Sequence, residues 1–227
     1  MSPKWQLSWP WSRAYCTTWQ EYFWNAMSVH FESRFESGNL RRAIQVYEFE
    51  YDLILKPDHN TRGYTQWFYF RIQNVIAGKV YRFNIINLVK PDSLYNHGMK
   101  PLMYSEAEAK QYGKGWQRYG NDICYYQNSM MKRKNYYYTL TWTCTFKHDN
   151  DVIYFAHCYP YTYTDMCRYL DALEADPKRK NRMRRKTLCQ TIAKNNCDML
   201  IVTTFNSSPE SIKKFRMYLD VAIIHPF

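Results

Sequence analysis

The sequence predicts a mainly β protein: an antiparallel β-sandwich followed by a segment of mixed α/β character. Three observations carry that prediction. Between residues 31 and 156 apolar and polar side chains alternate with a period of two, and the alternating runs are separated by turns of a few residues. At the tyrosine-rich run of residues 154–165 the periodicity changes. Beyond it a helical repeat is followed by two nearly continuous apolar runs, the pattern of strands in a mixed sheet.

Residues 1–30 form a Trp-rich extension with Trp5, Trp9, Trp11, Trp19 and Trp24 at no consistent period, and no structure is assigned to them. Residues 66–72 and 80–86 read as strands, separated by the turn-forming Ala77, Gly78 and Lys79, close enough to pair as a hairpin. A short helical turn is expected at 105–110, where Ser105 can cap it. The clearest strand is residues 136–146: Tyr136, Tyr138, Leu140, Trp142, Cys144 and Phe146 alternate with Tyr137, Thr139, Thr141, Thr143 and Thr145. One face should pack and the other present threonines to water. Asn150 and Asp151 mark a polar turn before a returning strand at 152–156.

After the aromatic run, Thr164 can cap a helix whose Met166, Tyr169, Leu170 and Leu173 share a face and which ends near Pro177. Residues 187–194 read as helical, and 199–203 and 219–224 as buried strands. The division is therefore 1–30, an extension; 31–156, the sandwich; and 157–227, the opening of a second domain, shorter than the ~100–150 residues a domain usually needs.

Composition narrows the function classes. An apolar share of 46% and an aromatic share of 19%, with only 7 Gly and 9 Pro, describe a chain that folds around a core. No apolar stretch approaches the ~20 residues of a membrane span, and the first residues lack the apolar core of a secretory signal, so a cytosolic location is expected. Seven cysteines without CxxC spacing suit reduced thiols in that compartment rather than a disulfide framework or a cysteine zinc site. Formal net charge is +11, but seven cations lie within residues 178–186; without them the balance is +4. The run reads as a solvated loop, or as a surface for acidic partners. Nucleic acid is not the expected partner, because the aromatic residues alternate with core spacing and stand apart from the basic run.

Several stretches together resemble the cytosolic carboxypeptidase family: residues 31–40, from Phe31 through Gly38 to Leu40; residues 65–70 around Trp67; residues 81–87; Gly115, Trp116, Gln117 and Arg118; and the aromatic run itself. The resemblance spans about 31–204, is specific in order and spacing, and among vertebrate forms is greatest to the second and third paralogues. Members of that family are zinc metallocarboxypeptidases that remove glutamates from tubulin tails and other acidic-ended proteins. The resemblance implies that 31–156 is the family's N-terminal β-sandwich and that His157 onward opens an incomplete α/β metallocarboxypeptidase domain. It also implies cytoplasmic residence, with microtubules, centrioles or cilia as places of association, and tubulin or other polyglutamylated proteins as partners.

A hydrolytic zinc site takes three protein ligands and an open position for water. In the family the first His and the Glu come from His-Pro-Gly-Glu after a strand, and the second His lies far downstream. Here His225 and Pro226 follow an apolar strand, Phe227 stands in the place of the Gly, and Ile223 lies near the position of the family's Arg. The resemblance thus implies His225 as the first ligand of an incomplete site, no catalytic residue, no stable zinc binding and no peptidase activity in this chain alone. The alternative is a non-catalytic adaptor or decoy that holds acidic tails through the sandwich and segment 178–186. Of the other histidines, His30, His59, His97, His148 and His157 have no Glu three residues on; His148 lies in a turn, and His157 is expected to be a hydrogen-bonded structural residue. Glu32 and Glu36, with Arg34 between them, read as an ordinary surface charge pattern, and residues 113–115 as a loop rather than a phosphate cradle.

Overall fold

A computed structural model describes residues 28–132, 135–203 and 205, and these fall in two compact units that divide between Tyr159 and Pro160. The expected strand at 219–224 and nearly all of the Trp-rich extension lie outside the described residues.

Among the described residues the first unit contains ten strands: β1 (His30–Glu32), β2 (Leu40–Tyr47), β3 (Glu50–Leu55), β4 (Tyr69–Gln73), β5 (Val80–Leu88), β6 (Leu102–Ser105), β7 (Gln117–Arg118), β8 (Asn121–Lys132), β9 (Asn135–Thr145) and β10 (Ile153–Ala156). One sheet runs β1-β4-β10-β6-β7 and the other β2-β3-β5-β9-β8. Alternation explains how they pack. Phe70 and Ile72 of β4, Phe155 of β10, Tyr81, Phe83 and Ile85 of β5, and Leu140 and Trp142 of β9 are all fully buried in one shared core. Rings from the two sheets meet there: Phe83 and Phe155 at 5.6 Å, Trp142 and Phe155 at 5.6 Å, Phe68 and Trp142 stacked at 6.0 Å. Each aromatic side chain buries about 150–250 Å², so this layer dominates the sandwich's stability.

Residues 66–72 and 80–86 do not form the expected hairpin. β4 pairs with β1 and β10, whereas β5 pairs with β3 and β9 in the opposite sheet. Both segments have a strongly apolar face, and placing them in facing sheets buries both faces against one another. The connection turns between the sheets with Asn74 and Gly78 at positive φ, and the Gly78 N–H donates to Phe146 O. Because the chain leaves β3, crosses to the other sheet as β4 and returns, β5 arrives parallel to β3, the one parallel pair among the described strands.

β9 keeps its apolar alternation, but its threonine face is not simply solvated. Thr139 and Thr143 are buried, and a polar ladder crosses four strands of that face. Asn84 donates to Glu50 and Asp52 of β3 and accepts from Thr141, while Thr143 donates to Asp122 of β8. Polar side chains of the two flanking strands, invisible in the period-two pattern of β9 alone, engage the threonines: Asn84 of β5 with Thr141, and Asp122 and Asn128 of β8 with Thr143 and Thr139. The short helix α1 (Glu106–Tyr112) begins as expected: Ser105 Oγ accepts from Glu108 N at 3.0 Å, and Gly113 closes the helix in the left-handed region.

The second unit contains α2 (Tyr163–Ala175) and an antiparallel hairpin of β11 (Met183–Gln190) and β12 (Asn196–Val202). The helix is capped by Thr162, not Thr164. Thr162 Oγ1 accepts from Asp165 N, and the Asp165 carboxylate accepts from Thr162 N, a reciprocal box that the side chain three residues on makes possible. Leu170 is buried and Met166 and Leu173 half-buried, but Tyr169 is exposed rather than on the covered face. Residues 187–194 are not helical. Up to Gln190 they continue β11, and 191–195 form the hairpin turn, with Thr191 N donating to Asn195 O and Lys194 at positive φ. The partner strand supplies the hydrogen bonds that decide this, and a weak local propensity does not reveal them. β12 is half-buried rather than buried, and Val202 is 71% exposed. None of the described helices is long and apolar enough to cross a membrane.

Candidate functional site

His225, the expected metal ligand, lies outside the described residues. Among the described residues no three His, Cys, Asp or Glu side chains stand together as a metal site, so they supply no ligand set for the zinc that the resemblance implies. Glu32 is occupied by Arg34 at 2.6 Å, whose hydrogen bonds hold the carboxyl down to about 2. His148 sits in the turn after β9, as expected.

His157 is a structural residue at the end of β10. Its backbone N–H donates to Phe68 O, its Nδ1 is hydrogen-bonded to Tyr95 OH at 3.0 Å, and Arg118 donates to its carbonyl. Burial, then the charges of Arg118 and Lys90, push its imidazole down to about 4, so it is neutral at pH 7. The aromatic run is therefore pinned where it leaves the sandwich.

The basic segment 178–186 is not one solvated loop. A 3-10 turn occupies Lys180–Arg182, and Met183 onward is β11. Strand alternation then divides its cations. Arg185 points inward, 17% exposed, and contacts Asp198 at 2.5 Å, Asp171 at 2.7 Å and Glu174 at 3.9 Å, joining the hairpin to α2. Burial disfavours its charge, but the hydrogen bonds to Asp198 and Asp171 outweigh that and raise its pKa. Lys178, Arg179, Lys180, Arg182, Arg184 and Lys186 are exposed, with Arg179 near Asp176 and Arg184 stacked on Phe205 at 4.2 Å. Arg184 and Lys186 lie on the same side of β11, and Arg182 ends the 3-10 turn before the strand. A residue every ~6.6 Å along a strand matches the repeat of alternate side chains in an extended acidic peptide.

Sequence reasoning missed a second feature, on the outer face of the first sheet. Tyr69 of β4, Tyr154 of β10, Tyr104 of β6 and Trp116 form a closed circuit of ring contacts at 5.5–6.2 Å, lining an open groove of about 800 Å³. The signal was present as back-to-back aromatics: Tyr69 beside Phe70 and Tyr154 beside Phe155 must place rings on both faces of a strand.

The architecture is found among metallocarboxypeptidases. A metallo-carboxypeptidase from Burkholderia cenocepacia shares it with a TM-score of 0.56 at 17% identity, over 80% of this chain and 41% of that one. The family model of the cytosolic carboxypeptidase N-terminal domain matches residues 31–158, and the chain belongs to the cytosolic carboxypeptidase family. Cytosolic carboxypeptidase 3 of Bos taurus is 48% identical over 199 residues, which is 88% of this chain and 20% of that protein. Cytosolic carboxypeptidase 2 of Homo sapiens is 44% identical over 196 residues, 86% of this chain and 22% of that protein. The chain thus spans about a fifth of the length of these relatives.

Proposed function

We propose that this chain supplies the N-terminal domain of a cytoplasmic, zinc-dependent carboxypeptidase system that removes glutamates from acidic protein tails, tubulin among them, and that residues 1–227 hydrolyse nothing alone. The observation carrying this reading is the match of residues 31–158 to the N-terminal domain of the family. The test is release of free glutamate from a polyglutamylated peptide by the purified chain with added zinc. No release above a blank is expected, and zinc-dependent turnover would overturn the reading.

A second reading, an adaptor or decoy for acidic tails associated with microtubules, is favoured by the exposed cations Arg182, Arg184 and Lys186. The strand spacing of Arg184 and Lys186 suits an extended run of glutamates, and exposed charge pairs of this kind give association that weakens as salt screens them. Co-sedimentation with glutamylated microtubules at low salt is expected, with loss when Lys180, Arg182, Arg184 and Lys186 are replaced by Ser. Absence of co-sedimentation at low salt would exclude this reading.

A further inference from the structure

Seven cysteines with no paired spacing read as separate thiols in the sequence, and the register of the hairpin changes that for Cys189 and Cys197. Cys189 of β11 is the direct partner of Cys197 of β12. An irregularity between Thr187 and Cys189 brings this about. With Thr187 opposite Asp198, an unbroken ladder would set Leu188 against Cys197, and the extra residue moves Cys189 into that place. Directly opposed side chains leave an antiparallel pair on the same face. Their Cα atoms stand about 4.5 or 5.5 Å apart according to the kind of pair, and a disulfide spans about 4.4–6.8 Å, so either kind is within reach.

Exposure gives the two thiols different parts. Cys189 is exposed and meets a dissolved oxidant first, whereas Cys197 is half-buried. Burial, then the charge and hydrogen bond of Cys189 and the charge of Asp198, raise the Cys197 thiol above its usual range and keep it protonated at neutral pH. Among the described residues no other two cysteines are register partners: Cys124 of β8 stands opposite Thr141, and Cys144, buried in the sandwich, opposite Tyr81. Cys158 follows β10, and Cys167 lies on α2.

We infer that Cys189 and Cys197 form a reversible oxidation site at which hydrogen peroxide converts the paired thiols into a cross-strand disulfide. The Cys189 thiolate attacks one peroxide oxygen; an S–O bond forms, the O–O bond breaks, and the other oxygen leaves as water with the proton that the thiol gave up. The Cys197 sulfur, releasing its proton, then attacks the Cys189 sulfur; the S–S bond forms, the S–O bond breaks and a second water leaves. The thiols lose two electrons and the peroxide is reduced to water. In a reducing compartment the pair rests as thiols, and an added dithiol returns it to that state by exchange. The bond closes a loop of residues 190–196 at the tip of the hairpin. The site uses neither zinc nor the exposed cations of segment 178–186, so it goes beyond the function proposed above.

The test uses the full chain, reduced, freed of reductant, exposed to hydrogen peroxide, alkylated and digested with trypsin without reduction. Cleavage after Lys186, Lys194 and Lys213 puts Cys189 in peptide 187–194 and Cys197 in peptide 195–213, neither with a second cysteine, so the linked pair reports this disulfide alone. By mass spectrometry that linked species is expected to exceed every other cysteine linkage at least ~10-fold and to disappear with dithiothreitol. Dimedone present during oxidation should label Cys189 at least ~10-fold more in Cys197→Ser, where no second thiol resolves the sulfenic acid, than in the native chain. Recovery of the two peptides unlinked from the oxidised native chain would overturn the inference, as would linkage of either cysteine chiefly to another. Equal dimedone labelling in the native chain and Cys197→Ser would do the same.

Discussion

Gly38→Ala isolates one close approach in the loop between β1 and β2. A Cβ built on Gly38 would stand 2.4 Å from the carbonyl oxygen of Ser33 and 2.9 Å from its Oγ. Backbone is the obstacle, so relief needs a shift of at least ~0.6 Å in a segment that is heavily tied. Ser33 Oγ accepts from Leu40 N at 2.8 Å, Gly38 N donates to Phe35 O, Trp67 Nε1 donates to Ser37 O, and the Asn39 side chain bridges Trp67 O and Tyr69 N. Overpacking of this kind costs about 1–3 kcal/mol, and losing the Leu40–Ser33 bond adds about 1 kcal/mol. The sum, roughly 2–4 kcal/mol, corresponds to a fall in Tm of roughly 6–12 °C for a chain of this size. Thermal unfolding followed by circular dichroism is the assay, with Gly78→Ala as control. Gly78, unlike Gly38, has a positive φ, but nothing lies within 4 Å of its added Cβ, so only about 1 kcal/mol of backbone strain is expected there. Equal Tm shifts in the two variants, or none in Gly38→Ala, would refute the steric argument.

Three further outcomes are expected. His157 has a folded-state pKa of about 4, below its unfolded value near 6.5, so its contribution is complete above pH 6.5 and is lost progressively as pH falls towards 4, reaching about 3 kcal/mol. Denaturant midpoints across that window should show the slope in the native chain and a flatter profile in His157→Gln. Arg185→Ala strands the carboxylate of Asp198, which is 4% exposed, and should destabilise the second unit by about 3–5 kcal/mol. Limited proteolysis should then cut within residues 160–203 far faster, whereas exposed Lys186→Ala should leave the cutting rate unchanged. Asn84→Ala removes the centre of the polar ladder and leaves Thr141 and Asp52 to re-pair, costing about 1–3 kcal/mol by urea unfolding; a loss below ~0.5 kcal/mol would show that the ladder contributes little.

Alternation within single segments was sufficient to read β5, β9, β10 and the helix of the second unit, because burial on one side of a strand or helix is recorded directly in its residue types. It could not say which strand lies beside which. The runs at 66–72 and 80–86 look alike and adjacent, yet they face one another across the core, since sheet partnership depends on residues tens of positions away. The same limit explains β11. Its local sequence has weak preferences, and its strand conformation is decided by pairing with β12. The capping box at Thr162 and Asp165 was legible in principle, being a pattern of three-residue spacing, and Thr164 merely stood nearer the first apolar residue.

For the site, the division of labour is similar. Residue types alone identified the family resemblance, the +11 charge and its concentration in one segment, because these depend on which residues are present and in what order. Tertiary structure decided that Arg185 is consumed internally while its neighbours face outward, and that four aromatic rings from distant segments close around one groove. Both follow from strand pleating and sheet register, which bring together side chains that the sequence keeps up to 85 residues apart, as Tyr69 and Tyr154 are.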